Sequence, residues 1–323
     1  MLVTGAAGFI GSSLVDRLLA DEHDVIGIDN FSTGLPEFLK TALKNPRFHL
    51  AERDLLKESA LDSFLSSETA WVFHLAANAD VREGIKQPRK DLEQNTLVTW
   101  NVLEAMRRAG ARQIVFSSTG SVYGEAPVIP TPETCPFPIQ TSLYGASKLA
   151  GEALISAYAE AYRFRGIILR FVSILGERYT HGHVLDFVRQ LEKDPARLSV
   201  LGDGKQKKSY LYIGDCLEAI LTAIRHETGH AVDIYNLGTD EYVQVDDSIG
   251  EICDEMQVQP RLEYSGGDRG WVGDNPFIFL DCSKIRKLGW RPQKSIREGV
   301  RLTVRYLLAH RWVFEARQVE PIP

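Results

Sequence analysis

"VTGAAGFIGSSLVDRLL", residues 3–19, sets Gly5, Gly8 and Gly11 between a short aliphatic run and a segment of helical period. Glycines at a strand-to-helix junction permit a tight turn and close approach of the backbone to a pyrophosphate. The phosphate then rests on the free N–H groups and positive end of the helix. The spacing is GxxGxxG rather than the GxGxxG of the general dinucleotide fingerprint, so a plain structural turn also fits the triplet. The next apolar run, "VIGIDN", ends on Asp29, 18 residues after Gly11. An acid there accepts hydrogen bonds from both adenosine ribose hydroxyls and repels a 2′-phosphate, which implies NAD rather than NADP. Its other reading is a turn residue ahead of "NFSTG". "RDL" puts Asp54 at the end of a third strand, within reach of adenine.

Outward from this turn the first half alternates short aliphatic runs with longer helical segments, the pattern of a parallel sheet with crossover helices. Strands are expected at "LVTG", "DVIGID", "RFHL", "WVFHLAA", "QIVFSS" and "GIILRF", with helices near 9–20, 58–66, 95–109 and 144–163. The predicted fold is α/β: a Rossmann-type doubly wound parallel sheet with a smaller mixed α/β substrate domain at the C-terminal end. Residues 1–172 form the NAD-binding domain, and a strand from about 231–239 returns to its sheet; 173–323 mainly bind substrate. After Arg170 strands become sparse. "YLYIGDCLEAILTAIRHE" reads as a short strand entering a helix, and "SIREGVRLTVRYLLAHRW" as an amphipathic helix capped by Ser295. The first residues already belong to a strand, which leaves room for native residues upstream.

Composition narrows the function classes. With 323 residues, 44% apolar, 25% charged and a net charge of −6, the chain is an ordinary globular protein large enough for two domains. Mild acidity argues against a nucleic-acid partner. The densest basic run, "KQKK" at 205–208, fits either a solvated loop or a local anion site. No stretch is long and apolar enough for a membrane span, and no signal peptide is evident. Four scattered cysteines without CxxC spacing read as reduced thiols of a cytoplasmic protein, with no metal site. His181 and His183 in "GERYTHGHVLDF" lack ligand partners at suitable spacing, so that segment reads as a loop over the substrate.

"TSLYGASKLAGE", residues 141–152, places Tyr144 and Lys148 one helical turn apart. Tyrosine works as a general base only if its pKa, about 10 when free, falls towards neutrality. A lysine on the same face and an oxidised nicotinamide ring both supply positive charge for that purpose. Such a pair is also common as exposed helix neighbours. Here it follows "FSSTGSVYG", which puts hydroxyls at the carboxyl end of a strand, where doubly wound sheets bind ligands. Thr119 is placed to donate to the oxygen that Tyr144 deprotonates, while Ser117 and Ser118 also fit as partners of backbone groups.

Taken in order, "TGAAGFIG", "DN" at 29, "HLAA" at 74, "FSST" with "VYG", "YGASK" and "LR" at 169 make the sequence resemble the extended short-chain dehydrogenase/reductases, and within them the NAD-dependent nucleotide-sugar epimerases and dehydratases. Weaker similarity continues through "LGDGKQKKSYLYIGD" and "GGDRGWVGDNP", covering nearly the whole chain. The resemblance implies Tyr144 as base, Lys148 as its tuning partner on the nicotinamide ribose, and Thr119 as the hydroxyl donor. Cofactor contacts are implied at Gly5, Gly8, Phe9, Ile10 and Gly11 of the turn; at Asp29, Asn30, Ser32 and Gly34 of "DNFSTG"; and at Asp54 and Leu55. They are further implied at Leu75, Ala76 and Ala77 of "HLAA", at Asn95 and at Ser117. Tyr123 is implied to line the sugar pocket. Family members commonly pair through a four-helix bundle, and the helices near 95–109 and 144–163 are apolar enough for a homodimer.

The family's hexose dehydratases carry Asp-Glu after the threonine; Gly120 and Ser121 stand here, which favours epimerisation. The expected reaction is NAD-dependent C4 epimerisation of a UDP-sugar, most simply a UDP-hexose, through a bound 4-keto sugar. The alternatives are a dehydratase or reductase of the same family, or a catalytically silent NAD-binding sensor or scaffold. Anchoring of the nucleotide diphosphate is implied at Lys208, Tyr210, Arg269 and Asp274. Lys208 stands where relatives have arginine, and keeps the charge but not the bidentate fork. Ser173 replaces a longer asparagine. Ile278 lies near where related epimerases gate an N-acetyl group, and its size leaves hexose and N-acetylhexosamine both open.

Overall fold

The computed structural model describes residues 1–81, 83–136, 139–267 and 277–316. The aliphatic runs become β1 (Leu2–Thr4), β2 (Val25–Asp29), β3 (Phe48–Glu52), β4 (Val72–His74), β5 (Gln113–Thr119) and β6 (Arg165–Phe171). In the second half follow β7 (Ser173–Leu175), β8 (Arg197–Val200), β9 (Lys207–Lys208), β10 (Tyr210–Tyr212), β11 (Val232–Leu237), β12 (Val243–Gln244) and β13 (Arg261–Tyr264). Seven of these form one sheet in the order β11-β6-β5-β4-β1-β2-β3, every pairing parallel. A parallel sheet is covered on both faces, and its central strands are accordingly aliphatic on both sides. One apolar core contains Val3, Phe73, Val115 and Leu169, the other Leu2, Val72, Ile114 and Ile168. Strand order reverses between β1 and β4, which opens the ligand crevice beyond their carboxyl ends.

The longer helices are α1 (Phe9–Ala20), α4 (Val98–Ala109), α5 (Leu143–Tyr162), α6 (His183–Lys193), α7 (Ile213–Arg225), α8 (Val245–Met256) and α10 (Ile296–Ala309). Short helices α2 (Glu83–Lys86), α3 (Pro88–Asp91), α9 (Ser283–Arg286) and α11 (Trp312–Ala316) fill between them. A π-helical turn, Leu92–Leu97, joins α3 to α4. Ser295 caps α10 in a reciprocal capping box with Glu298. Outside the large sheet, strands pair only in twos: β7 with β10, β9 with β12, and β8 with β13. The second half also returns to the first at several places. β11 extends the sheet, α7 meets α1 through the Glu218–Arg17 ion pair, and Trp312 packs 5.6 Å from Phe38.

One expected helix does not form. Residues 58–66 fold as successive three-residue turns, with Ala60 N–H on Lys57 O (3.0 Å) and Phe64 N–H on Leu61 O (2.9 Å). The apolar period is present, and Ala60, Leu61 and Leu65 are buried. Side chains of α4 fasten this stretch instead: Asn101 donates to Leu55 O (2.8 Å) and Leu56 O (3.1 Å) just ahead of it, and Arg108 to Glu58 O (2.9 Å), a carbonyl the helix would use. Among the described residues no helix is long and apolar enough to cross a membrane.

Candidate active site

The glycine turn is a cradle that a methyl group would fill. Gly5 takes a φ of +68°, its carbonyl accepts from Gly8 N–H at 3.0 Å, and a Cβ on Gly11 would stand 1.9 Å from that oxygen. Gly8 caps α1 without a side chain, and the first helical bond runs from Ser12 N–H to Gly8 O. The amides of Phe9, Ile10 and Gly11 therefore stand outside the helical ladder at the positive end of α1, the arrangement that receives a phosphate. Asp29, at the end of β2, accepts from Ala7 N–H and Phe31 N–H, both at 2.8 Å, and burial raises its pKa. Its two readings merge, since the acid that would face a ribose also ties the glycine turn to the strand. A Cβ on Gly34 would lie 2.8 Å from Asp29 Oδ1. Asn30 Oδ1 accepts from Ser32 N–H, and Asp54 Oδ1 from Leu56 N–H, both at 3.0 Å. Leu55 is buried.

"HLAA" abuts this turn: a Cβ on Gly5 would be 2.8 Å from Ala76 N. Thr4 Oγ1 accepts from the amides of Leu75 and Ala76 (3.2 Å each) and lies 2.8 Å from His74 Nδ1. With those bonds accepted, the threonine donates to Nδ1. On the other side Thr99 donates to Asn95 O (2.6 Å), so it accepts from His74 Nε2–H at 3.0 Å. Burial, with the Lys148 charge, lowers the imidazole pKa to about 3, and His74 is a neutral strut between β1 and α4. Ala77 follows at the end of the same run.

The π-helical turn carries Asn95 inward. Its Oδ1 accepts from Asn78 N–H (2.9 Å), and its Nδ2 donates to Ser147 Oγ (2.9 Å) and Asp91 Oδ1 (3.3 Å). Ser147 lies between Tyr144 and Lys148 on α5, so Asn95 meets the lysine's helix. A π-helical insertion of this kind is often found where a helix must aim a side chain.

Ser142 caps α5, accepting from Gly145 N–H at 3.0 Å, and the first turn of that helix presents Tyr144. The Thr119 side chain stands near enough to the Tyr144 hydroxyl to favour its phenolate, and Thr119 Oγ1 donates to Ser121 Oγ at 3.2 Å. Thr119 Oγ1 also accepts from Ser121 N–H at 3.1 Å. Lys148 is buried, donates to Ser117 O at 2.8 Å and lies 4.8 Å over the Phe116 ring. Ser117 Oγ donates to His74 O (3.2 Å), one of the two roles considered for it.

The electrostatics differ from the expected tuning. Burial pushes the Tyr144 phenol up to about 12; the Asp91 carboxylate adds to the rise and the Thr119 side chain opposes it. Burial lowers the Lys148 ammonium to about 7 against the raising charges of Asp91 and Glu152. The physical cause is that both groups are desolvated, and desolvation disfavours each charged form. The protein chain alone thus favours the protonated tyrosine.

Candidates for the substrate gather beside β10. Ser173 and Tyr210 are register partners across β7 and β10. The Tyr210 hydroxyl sits 3.0 Å from His183 Nδ1. Burial first, and the Lys208 charge second, lower His183 to about 3. His181 stacks on Tyr179 with ring centroids 6.2 Å apart. Gly120 packs against Ile278, and a Cβ there would lie 2.6 Å from Ile278 Cγ2. Arg269 and Asp274 lie outside the described residues. Tyr123 is 1% exposed and departs from its expected place on a pocket wall. Its hydroxyl donates to Asn236 (2.9 Å) and accepts from Arg170 Nη1 (2.6 Å), so it packs within the core.

Three buried polar residues escaped the sequence reading. Asp91 precedes Asn95 by four residues, Glu152 follows Lys148 by four, and His74 opens "HLAA"; the four-residue spacing was the available signal for the first two.

Comparison with known proteins matches residues 1–238 to the NAD dependent epimerase/dehydratase family. A putative UDP-glucose 4-epimerase of Methanocaldococcus jannaschii is 33% identical over 313 residues, 95% of this chain and 98% of that protein. A crystal structure of a UDP-galactose 4-epimerase superposes with a TM-score of 0.87 at 37% identity, over 96% of this chain and 99% of that one. The dTDP-glucose 4,6-dehydratase DesIV of Streptomyces venezuelae, solved with NAD, superposes with a TM-score of 0.88 at 26% identity, over 98% and 99%. The glycine cradle, the seven-stranded sheet and these similarities lead to one conclusion: this chain belongs to the NAD-dependent epimerase/dehydratase family.

Proposed function

We propose that the enzyme is a UDP-sugar 4-epimerase, and that Tyr144, Lys148 and Thr119 handle the proton of the sugar 4-hydroxyl. The observation that carries this reading is Thr119 placed beside the Tyr144 hydroxyl and followed by Gly120 and Ser121. Dehydration needs a further acid and base beside the threonine, and Gly120, packed on Ile278, has no space for one. Similarity to UDP-glucose and UDP-galactose 4-epimerases supports the same choice.

NAD, when bound, supplies the hydride acceptor and donor and a positively charged ring. The amides of Phe9, Ile10 and Gly11 would receive its pyrophosphate, Asp29 its adenosine ribose, and Asp54 would face its adenine. Lys148, protonated, would hold the nicotinamide ribose and favour the Tyr144 phenolate. Tyr144 takes the proton from the 4-hydroxyl while Thr119 donates to the same oxygen. After the 4-keto sugar turns over, Tyr144 returns the proton, so the two halves balance and no reductant is consumed.

Turning over requires a firm grip on the diphosphate and a loose one on the sugar. Lys208, with His183 and Tyr210 beside it, is the assigned anchor, and Ser173 stands at the same edge. Arg269 and Asp274 remain candidates by resemblance. The exposed Leu92, Leu97, Trp100 and Leu143 lie on the α4 and α5 side and support a homodimer through these helices. Free cysteines fit a cytoplasmic setting.

The test is incubation with UDP-glucose, UDP-galactose and their N-acetyl and carboxyl counterparts, with products resolved chromatographically. Interconversion of one C4 pair without release of a keto or deoxy sugar is expected. A released keto sugar would replace this reading with a dehydratase or decarboxylating one.

A further inference from the structure

Asp91 is a buried carboxylate that the proposed proton chemistry does not use. It is 1% exposed, and its Oδ1 accepts from Asn78 Nδ2 (2.7 Å) and Asn95 Nδ2 (3.3 Å). Among the described residues Oδ2 has no hydrogen-bond partner, and a Cβ built on Gly84 would stand 1.9 Å from it. A carboxylate removed from water with half its accepting capacity unused is costly, and a fold retains such a group only where something compensates it. Asn95, the residue that binds Asp91, also donates to Ser147 Oγ at 2.9 Å, and Ser147 donates to Tyr144 O at 2.8 Å. Thr96 donates to Ser147 O at 3.2 Å. A hydrogen-bond chain thus runs from Asp91 to the turn of α5 that carries both Tyr144 and Lys148.

We infer that Asp91 is a positioning residue and the counter-charge of the Tyr144–Lys148 pair, holding Lys148 in its ammonium form and fixing the first turn of α5 through Asn95 and Ser147. This rests on the roles assigned to Tyr144 and Lys148 above. The charges of two carboxylates, Asp91 and Glu152, favour the Lys148 ammonium. Glu152 accepts from Arg170 Nε and Nη2 and from the Ser118 hydroxyl. Among the described residues Asp91 makes no such bond to a cation, and of the two it raises the lysine more. The other charges around the cluster are Asp80 and Lys90, which act on Asp91, and His74, which is neutral. Asp91 also raises Tyr144, so removing its charge displaces both partners in one direction. Tyr144 then deprotonates, and Lys148 loses its proton, at lower pH.

Asp91→Asn keeps the shape and the Oδ1 acceptor while deleting the charge. We expect both limbs of the pH profile of kcat to move to lower pH by about one pH unit. Asp91→Glu retains the charge and leaves the limbs within a few tenths of wild type, with kcat reduced. Calorimetric affinity of cofactor-stripped protein for NAD, measured against pH, provides a readout apart from turnover. Its alkaline decline follows Lys148 and shifts down in Asp91→Asn by a similar amount. If the asparagine variant does not fold, Asp91→Ser, smaller and also uncharged, is held to the same result. Slower turnover with limbs and affinity curve at their wild-type positions would overturn the inference and leave Asp91 a structural residue. If no C4 pair is interconverted, the epimerase reading fails, and the affinity curve still decides the role of Asp91.

Discussion

Lys148 and Glu152 lie one turn apart on α5, both buried, and their surroundings treat charge in opposite ways. Glu152 and Arg170 form a bidentate pair at 3.0 and 2.7 Å, and Ser118 donates to the same carboxylate. The remaining guanidinium nitrogen donates to Tyr123 Oη (2.6 Å) and Glu133 O (3.3 Å), and the guanidinium stacks 4.8 Å over the Tyr123 ring. Among the described residues Lys148 makes one bond, to Ser117 O, and the carboxylate that favours its charge most, Asp91, keeps an unpartnered oxygen. A pair in which every guanidinium nitrogen and both carboxylate oxygens are bonded has little capacity left for a ligand and belongs to the fold. A cluster with capacity unspent is where a ligand's own groups can complete the bonding.

The sharpest break of this comparison is Arg170→Met. It leaves Glu152 buried without its partner, and the expected loss is about 3–5 kcal/mol of unfolding free energy, read by urea denaturation. Adding Glu152→Leu should recover most of that loss, because an apolar pair of similar volume has no charge to desolvate. If the single variant unfolds no more easily than wild type, Glu152–Arg170 is not the structural half of the comparison.

Lys148→Met inverts the pattern. Turnover should fall about 10²-fold, since the phenolate loses its cationic neighbour. Stability should respond to pH with the opposite sense. The folded lysine has a pKa near 7, below its ordinary value, so wild type carries the cost of a buried ammonium below about pH 7 and sheds it as pH rises towards 10. The variant is therefore most favoured over wild type in acid, and the gap closes in alkali; thermal melts of cofactor-free protein across that range measure it. A gap that widens with pH would mean that Lys148 stabilises the fold.

These two clusters also mark how far the sequence could be read. The sheet, its return strand and the glycine cradle were legible because each depends on a local run: aliphatic for β4 to β6, "DIYNL" for β11, three glycines at a junction. The failures depend on distant partners. Residues 58–66 have a helical period, but Arg108 of α4 takes the Glu58 carbonyl that a helix would use, and Asn101 holds the carbonyls of Leu55 and Leu56 just ahead of it. Asp91 sits in a charged run, "KDLEQN", whose local pattern gives no sign of its burial, and Asn78 from the loop after β4 donates to it there. Tyr123 was assigned to a pocket by its motif, whereas Arg170 and Asn236 hold it in the core. The tyrosine and lysine were recognised as a pair, yet their protonation balance follows from burial, which spacing does not reveal.

The smallest expected effect separates adjacent hydroxyls on β5. Ser118 and Thr119 are consecutive, so their side chains point to opposite faces of the sheet. Ser118 is 2% exposed and donates to Glu152, on the fold side, whereas Thr119 meets Tyr144. Ser118→Ala removes one of three donors to Glu152 and leaves the two from Arg170 in place, so the carboxylate stays paired. A hydrogen bond to a charged group contributes about 1.5 kcal/mol, and the unfolding free energy should fall by that much, read as a lower denaturation midpoint at an unchanged slope. The kcat and its pH profile should match wild type, because Lys148 is influenced more by Asp91 than by Glu152. A displaced profile in Ser118→Ala would mean that the two clusters share one electrostatic balance, and the division between fold and site would have to be drawn elsewhere on α5.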